Sequence, residues 1–327
     1  MDKNYSEKVK ENALFHYTSA KGLKGIIESD SIWASSYHCT NDLLEFKGAL
    51  RLLKREIKKR VLIQLKTSTD TNSMYTSQDL GMIFEDAISK AQQDIDGFIT
   101  SFCYTKDDEV YINGLLSQWR SYGLDGGYLI EFDKAKLLTE LKQSMTSFSL
   151  GEVKYDINEN AYLRDFTEKY IKYFFSNFPK NTHRDKSKKQ TLLDLYNNTQ
   201  GLDKWKKMMI TEKLTNALAG KGNLTNMHKD FLKLLAFTKS SHFEEENEHR
   251  LVFHVKDLKN NVGTFEKNGL IVPYYKPPIK IHSCVKRIII GPSPRINERQ
   301  KSVEMMLKPY NMNDVNVVRS EITYDKG

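Results

Sequence analysis

Two short polar phrases constrain this chain more than anything else in it. Phe15-His16-Tyr17-Thr18-Ser19 lies near the start, and Glu244-Glu245-Glu246-Asn247-Glu248-His249-Arg250 follows more than two hundred residues later. Each reads as the border of a β-strand, and strands are stable only when paired into a sheet with a buried face. A fold that uses both must therefore bring distant parts of the chain together. Residues 14–19 form a strand followed by a helix, because Leu23, Ile26 and Ile27 recur at helical spacing behind the capping residue Ser19. Strand signals return at 31–36, at 99–105 and at 127–132, where Tyr128, Ile130 and Phe132 alternate against Leu129 and Glu131.

A helix starts at Asp42, with Asp42 and Glu45 at capping-box spacing, and 80–91 reads as a second amphipathic segment. Residues 133–237 are mostly helical. Strands resume at 250–255, 279–283, 287–290 and 316–319, with a helix over 297–307. The economical architecture is α+β: a mixed or antiparallel sheet core built from residues 1–133 and 240–327, interrupted by a helical insertion over 134–239.

Composition narrows the class. At 39% hydrophobic and 28% charged residues the chain can bury a core. It has no apolar run of membrane-spanning length, and its first residues lack the apolar stretch of a secretion signal, so the expected location is cytosolic with no membrane partner. Cys39, Cys103 and Cys284 are widely spaced and argue against disulfides and zinc knuckles. No His/Cys/carboxylate set has metal-ligand spacing, and no metal is expected. The formal charge of +8 suits an acidic partner, whether nucleic acid, nucleotide or protein surface. Arg51, Lys54, Arg55, Lys58 and Lys59 share one helical face, and Lys180, Arg184, Lys186, Lys188 and Lys189 form a second basic stretch.

Chemistry is suggested by strand alternation. Glu246, Glu248 and Arg250 point one way while His249, Leu251, Phe253 and Val255 point to the core, leaving two carboxylates and a guanidinium on a face that a ligand can reach. A fixed carboxylate stabilises the oxocarbenium-like cation of glycosidic cleavage. The plainer reading is a solvated acidic turn with a surface ion pair. His16 shares a strand face with Leu14 and Thr18 and is either a ribose contact or a satisfied core histidine. The same choice holds for Ser101 and Tyr104. Trp119 and Tyr122, three apart on a helical turn, either stack on a ligand ring or belong to the core.

Taken in order, several phrases resemble a widespread bacterial family catalogued as domain of unknown function 2971. They are residues 15–19; Ile32-Trp33-Ala34-Ser35-Ser36 with Asn41-Asp42 and Glu45-Phe46; Ser101-Phe102-Cys103 with residues 118–123; residues 127–133; residues 246–252; and Ile288-Ile289-Ile290-Gly291. The helical middle lies outside the resemblance. That family in turn resembles ADP-ribosyltransferases, including the histidine-tyrosine-glutamate branch and toxins that modify DNA.

The resemblance implies an ADP-ribosyltransferase-like sheet and NAD as substrate. It implies that Glu248 is catalytic and that Glu246 activates the acceptor. His16 would bind the adenosine ribose, with its neighbours Tyr17 and Thr18 gripping the nicotinamide amide. Ser101 would stand on the middle strand, with Tyr104, Tyr122 and Tyr37 as rivals for stacking on nicotinamide, and Trp119 and Arg250 would complete the cofactor site. The activity implied is ADP-ribosyl transfer or NAD hydrolysis by a bacterial toxin or antiphage effector, with a protein, a nucleic acid or water as acceptor. A non-catalytic nucleotide or nucleic-acid sensor is the alternative. The enzymatic reading requires His16 and Glu248 to border one cavity.

Overall fold

The structure, a computed structural model, describes residues 7–39, 43–67, 77–93, 97–122, 127–145, 147–155, 161–177, 200–218, 225–255, 261–267 and 269–322. The fold is α+β, with a mixed, largely antiparallel sheet. The strands are β1 (Ala13–Thr18), β2 (Ala34–Ser36), β3 (Phe98–Cys103), β4 (Tyr128–Asp133), β5 (Phe148–Glu152), β6 (Glu248–Phe253), β7 (Val262–Lys267), β8 (Leu270–Tyr275), β9 (Val285–Ile290) and β10 (Asn316–Arg319). The helices, in chain order, are α1 (Glu7–Glu11), α2 (Ala20–Ser29), α3 (Leu43–Thr67), α4 (Ser77–Gln93), α5 (Asp108–Asn113), α6 (Leu116–Tyr122), α7 (Lys134–Ser144), α8 (Ala161–Asn177), α9 (Gln200–Leu218), α10 (Thr225–Ala236) and α11 (Ile296–Leu307). Among the described residues, no helix is long and apolar enough to cross a membrane.

The chain divides into two compact units. One comprises Met1–Asn41, Gly97–Val153 and Ser241–Gly327, and the other Asp42–Asp96 and Lys154–Ser240. These boundaries differ from the expected core of 1–133 and 240–327 in two ways: β5 runs antiparallel along β6, which takes α7 and β5 into the sheet unit, and α3 and α4 pack with the later helices, which takes residues 42–96 out of it.

In the sheet unit the strand order is β10-β9-β4-β1-β3-β2-β8-β7. Along its whole length β3 also pairs with β6. The opposite edge of β3 is shared: β1 meets it at Phe15↔Cys103, and β2 meets it at Ser35↔Ile99 and Ser36↔Phe98. The sheet therefore forks at β3. Only β9 and β10 are parallel, joined through α11.

Alternation sorts the side chains onto two faces. One face carries Leu14, Phe102, Ile130, Phe132, Leu251, Phe253, Ile288 and Ile290, which pack on α2, α7 and α11 through Leu23, Ile26, Ile27, Leu137, Leu141, Val303 and Leu307. The other carries Ala13, Phe15, Tyr17, Leu129 and Ile289 against Tyr111 of α5 and Trp119 of α6. That second face also buries a polar group. Glu131 accepts from Tyr111 Oη at 2.8 Å and from Arg287 Nε at 2.7 Å, and Arg287 Nη2 donates to the Tyr111 carbonyl.

Local chemistry sets the ends of the elements. Ser19 caps α2 by accepting from the Gly22 N–H, and Asp30 ends it in the left-handed region at φ 48°. Asp30 Oδ1 then accepts the N–H groups of Ile281 and His282, both at 2.8 Å. This explains why 279–283 is not a strand. Its alternating Ile279 and Ile281 are buried, but its backbone is committed to the end of α2 and to a 3-10 turn at His282–Cys284.

The β7–β8 hairpin is held by rings lying over glycines. Tyr274 lies over Gly263 and stacks on Trp33, with centroids 4.4 Å apart and planes at 12°; Trp33 lies over Gly25 of α2.

The helical unit packs Leu50, Leu53 and Ile57 of α3 and Phe84 and Ile88 of α4 into its interior, with Phe166 stacked on Tyr170 and on Phe231. Part of the basic face of α3 is turned to internal use. Lys54 donates to Ser89 Oγ and Lys58 pairs with Glu85, whereas Arg51, Arg55 and Lys59 are exposed. The Asp42 helix start and the basic stretch 180–189 lie outside the described residues.

A Cβ at residue 263 would fall 2.6 Å from the Tyr274 ring, whose place is fixed by Trp33. Gly263→Ala is therefore expected to lower stability by about 1–3 kcal/mol in urea denaturation. Thr264→Ala, on the exposed neighbour, should change it by less than about 0.5 kcal/mol.

Candidate functional site

The late acidic phrase breaks in two at Asn247. Residues Ser241–Glu246 form a 3-10 turn, Asn247 takes φ 42°, and its N–H donates to the Glu244 carbonyl at 3.1 Å. Asparagine tolerates this left-handed geometry better than most residues. Strand geometry begins only at Glu248, so Glu246 belongs to the 3-10 turn and stands outside the alternation that pairs Glu248 with Arg250. This corrects the expectation of two carboxylates side by side.

Glu248 and Arg250 do share a face, but the face is covered. They are 3% and 1% exposed, and they form a bidentate pair: Arg250 Nε to Glu248 Oε1 at 2.6 Å and Nη2 to Oε2 at 2.9 Å. Two parallel charge-assisted bonds are the strongest arrangement available to these groups. The acidic group expected to meet a ribose is thus clasped inside the protein.

His16 is on the other side of the sheet. Paired residues in an antiparallel ladder share a face, and the register runs Phe15↔Cys103↔Glu248, which places Glu248 with Phe15 and opposite His16. The chain ends do converge on β3, yet the imidazole and the carboxylate face opposite sides of the sheet, so the enzymatic reading built on His16 and Glu248 together falls. His16 Nδ1 lies 2.9 Å from the Ser101 carbonyl, which can only accept, so Nδ1 carries the proton. Its ring packs near Phe102. Burial lowers the His16 pKa, and the bond to Ser101 only partly offsets this.

The remaining predicted residues are largely structural. Tyr17 Oη accepts from the Leu115 N–H at 2.6 Å, its ring meets Trp119 edge-on, and burial holds its hydroxyl pKa far above the usual range. Trp119 is 3% exposed, donates Nε1 to the Asn113 carbonyl, and fills a slot bounded by Gly114, at φ 78°, and Gly291. It belongs to the core and does not stack on a ligand. Thr18 and Tyr37 are buried, and Ser101 is exposed. Tyr122 ends α6, and its side chain lies outside the described residues.

A pocket of about 200 Å³ opens on the Phe15 face, where the β3–α5 connection meets the Asn247 turn. Acidic side chains come from Asp107, Glu245 and Glu246; rings come from Phe15, Tyr17 and Tyr104; Cys103 joins them. Among the described residues lining it there is no lysine, arginine or histidine. Tyr104 N–H donates to the Asn247 carbonyl at 3.0 Å, tying the two walls together. Asp107 also caps α5 through the Val110 N–H. Asp107, Cys103 and Glu245 were not among the candidates read from sequence, because only the pairing of β1 with β3 shows that they share this opening.

Fold and pocket together define an α+β protein with a forked, largely antiparallel sheet and one acidic, aromatic pocket beside the fork. Residues 118–251 match the profile of the family described as Protein of unknown function (DUF2971), so that stretch of the chain is similar to the family. The matched span includes Trp119, Glu246, Glu248 and Arg250, and it takes in the helical middle that the resemblance in sequence leaves out. No curated protein and no solved structure matches the chain.

Breaking a buried ion pair by removing one partner is strongly destabilising. Glu248→Gln is expected to cost about 3–5 kcal/mol in urea denaturation, and Glu248→Met/Arg250→Met should recover much of that loss. A second expectation concerns pH. The folded pKa of His16 lies below its unfolded value, so between the two the unfolded chain binds more protons and stability rises with pH; the contribution is lost as pH falls below about 6.5. His16→Gln should flatten that part of the stability profile.

Proposed function

We propose that the pocket receives the cationic pyridinium end of an NAD-type dinucleotide, and that cleavage of the nicotinamide–ribose bond runs on Glu246 rather than Glu248. The observation that carries this reading is the lining: three acidic side chains, two tyrosine rings and no basic group among its described residues. Such a lining favours a planar cation and repels pyrophosphate. The volume suits a single ring with its amide, since sites that enclose whole drug-sized ligands run to about 300–1,000 Å³. The adenosine diphosphate part would lie outside.

As the C–N bond breaks, its electron pair goes to the ring nitrogen and nicotinamide leaves neutral. The positive charge passes to the ribose, where a nearby carboxylate stabilises it. The acceptor, a macromolecule or water, forms the new bond at that carbon and yields its proton to Glu246. An ADP-ribosyltransferase-like sheet is part of the same reading, supported by the resemblance of residues 15–19 and 246–252. So is service as a toxin or antiviral effector, for which NAD consumption is a suitable activity.

A second reading, a non-catalytic nucleotide sensor, is favoured by the placement of His16 and Glu248 on opposite faces and by the clasp that occupies Glu248. Purified protein incubated with nicotinamide-labelled NAD separates the two. The enzymatic reading expects label released as nicotinamide, reduced roughly 100-fold or more in Glu246→Gln at unchanged melting temperature. NAD bound without release supports the sensor. Absence of both binding and release would remove NAD from consideration.

A further inference from the structure

One wall of the pocket is tied down from outside by α1. The β3–α5 connection supplies Tyr104, Thr105 and Asp107 to the pocket, and Lys10 reaches the same connection. Its ammonium donates to the Lys106 carbonyl at 2.8 Å and to Asp108 Oδ1 at 2.9 Å. A helix of five residues cannot persist on its own, so α1 depends on what it touches. Lys10 is the buried residue of α1, and its side chain is 8% exposed; the other four residues face solvent. The segment is thus docked by an ionic contact and not by an apolar face. Asp108 is 39% exposed, which leaves that contact open to competition from water and salt. Glu7 and Glu11 also lie close enough to Tyr104 to add to the burial that raises its hydroxyl pKa, with Lys10 opposing them. The helix therefore sits at the pocket rim and adds acidic charge there.

We propose that α1 is a strap: Lys10 holds the wall formed by residues 104–107 closed, and release of Lys10 opens the pocket. The inference rests on this pocket being the functional site, but it specifies access and not the guest. Cys103 provides a reporter, since it lines the pocket, is half-buried and is not in a disulfide. Cys284 provides a control. It is buried in the core, and burial raises its pKa to about 11, so it alkylates quickly only if the whole unit loosens.

The experiment follows N-ethylmaleimide labelling of each cysteine by peptide-resolved mass spectrometry in the full chain, in Lys10→Met and in Asp108→Asn. The first variant keeps most of the buried stem and removes the charge; the second leaves Lys10 intact and removes its partner. The strap expects Cys103 labelling to rise roughly three- to tenfold in both variants, with Cys284 labelling unchanged. Unchanged labelling of Cys103 in both variants would overturn it. So would a matching rise at Cys284, which would signal general loosening. If Cys103 opens as expected while NAD neither binds nor is consumed, the strap stands and the ligand assignment falls.

Discussion

Everything at the centre of this protein follows from β3 being paired along both edges. One edge takes β6 from late in the chain, and the other is divided between β1 and β2 from its beginning. That single strand makes the distant phrases neighbours. It also fixes which side chains face each other, because alternation leaves no freedom once a register is set. Phe15, Cys103 and Glu248 fall in one row across three strands, and His16 is excluded from that row by one residue. Proximity along the sheet and shared access to a ligand are separate conditions, and this sheet satisfies only the first for His16 and Glu248.

Parity also explains the buried charges. Glu131 pairs with Arg287, Glu248 pairs with Arg250, and all four lie on the face of Phe15 and Tyr17. Desolvating such pairs is costly, so their presence is weak evidence for stability. Their effect on register is more definite. A slip of one residue in β6 would carry Glu248 and Arg250, still paired with each other, into the apolar cluster around Phe102 and Phe132, and a slip between β4 and β9 would separate Glu131 from Arg287. Both wrong registers are therefore penalised.

Much of this was legible in the chain. Alternation correctly separated Glu248 and Arg250 from Leu251 and Phe253, and most strands fall where apolar alternation placed them. The misreadings have physical causes. The β7–β8 hairpin has its own sequence signal, Asn268-Gly269 between two runs of strand-forming residues, which the strand reading above does not include. Residues 279–283 have the pattern of a strand, but their N–H groups are claimed by Asp30, a partner about 250 residues away that no local pattern shows. β5, with Gly151 beside its exposed last residue Glu152 and the rest half-buried, carries too little apolar contrast to register as a strand. Alternation alone puts Glu246 on a strand face, and the left-handed turn at Asn247 that takes it off has no marker in the pattern of the strand. The burial of Trp119 depends on Gly114 and Gly291, which approach it from separate segments.

The same turn accounts for the difference in chemical potential between the two glutamates. A carboxylate inside a ladder must be neutralised by a neighbour, or the sheet bears the cost of an unpaired charge; Glu248 meets that requirement through Arg250 and is thereby removed from solvent chemistry. A carboxylate one turn earlier, off the ladder, is placed by the turn that ends at Asn247, whose backbone bonds are made whether or not a ligand is present. Rigid scaffold and adaptable loop thus meet at one peptide. The acidic residue with the stronger strand signature serves the fold, and the proposed reading gives the chemistry to the one outside the strand.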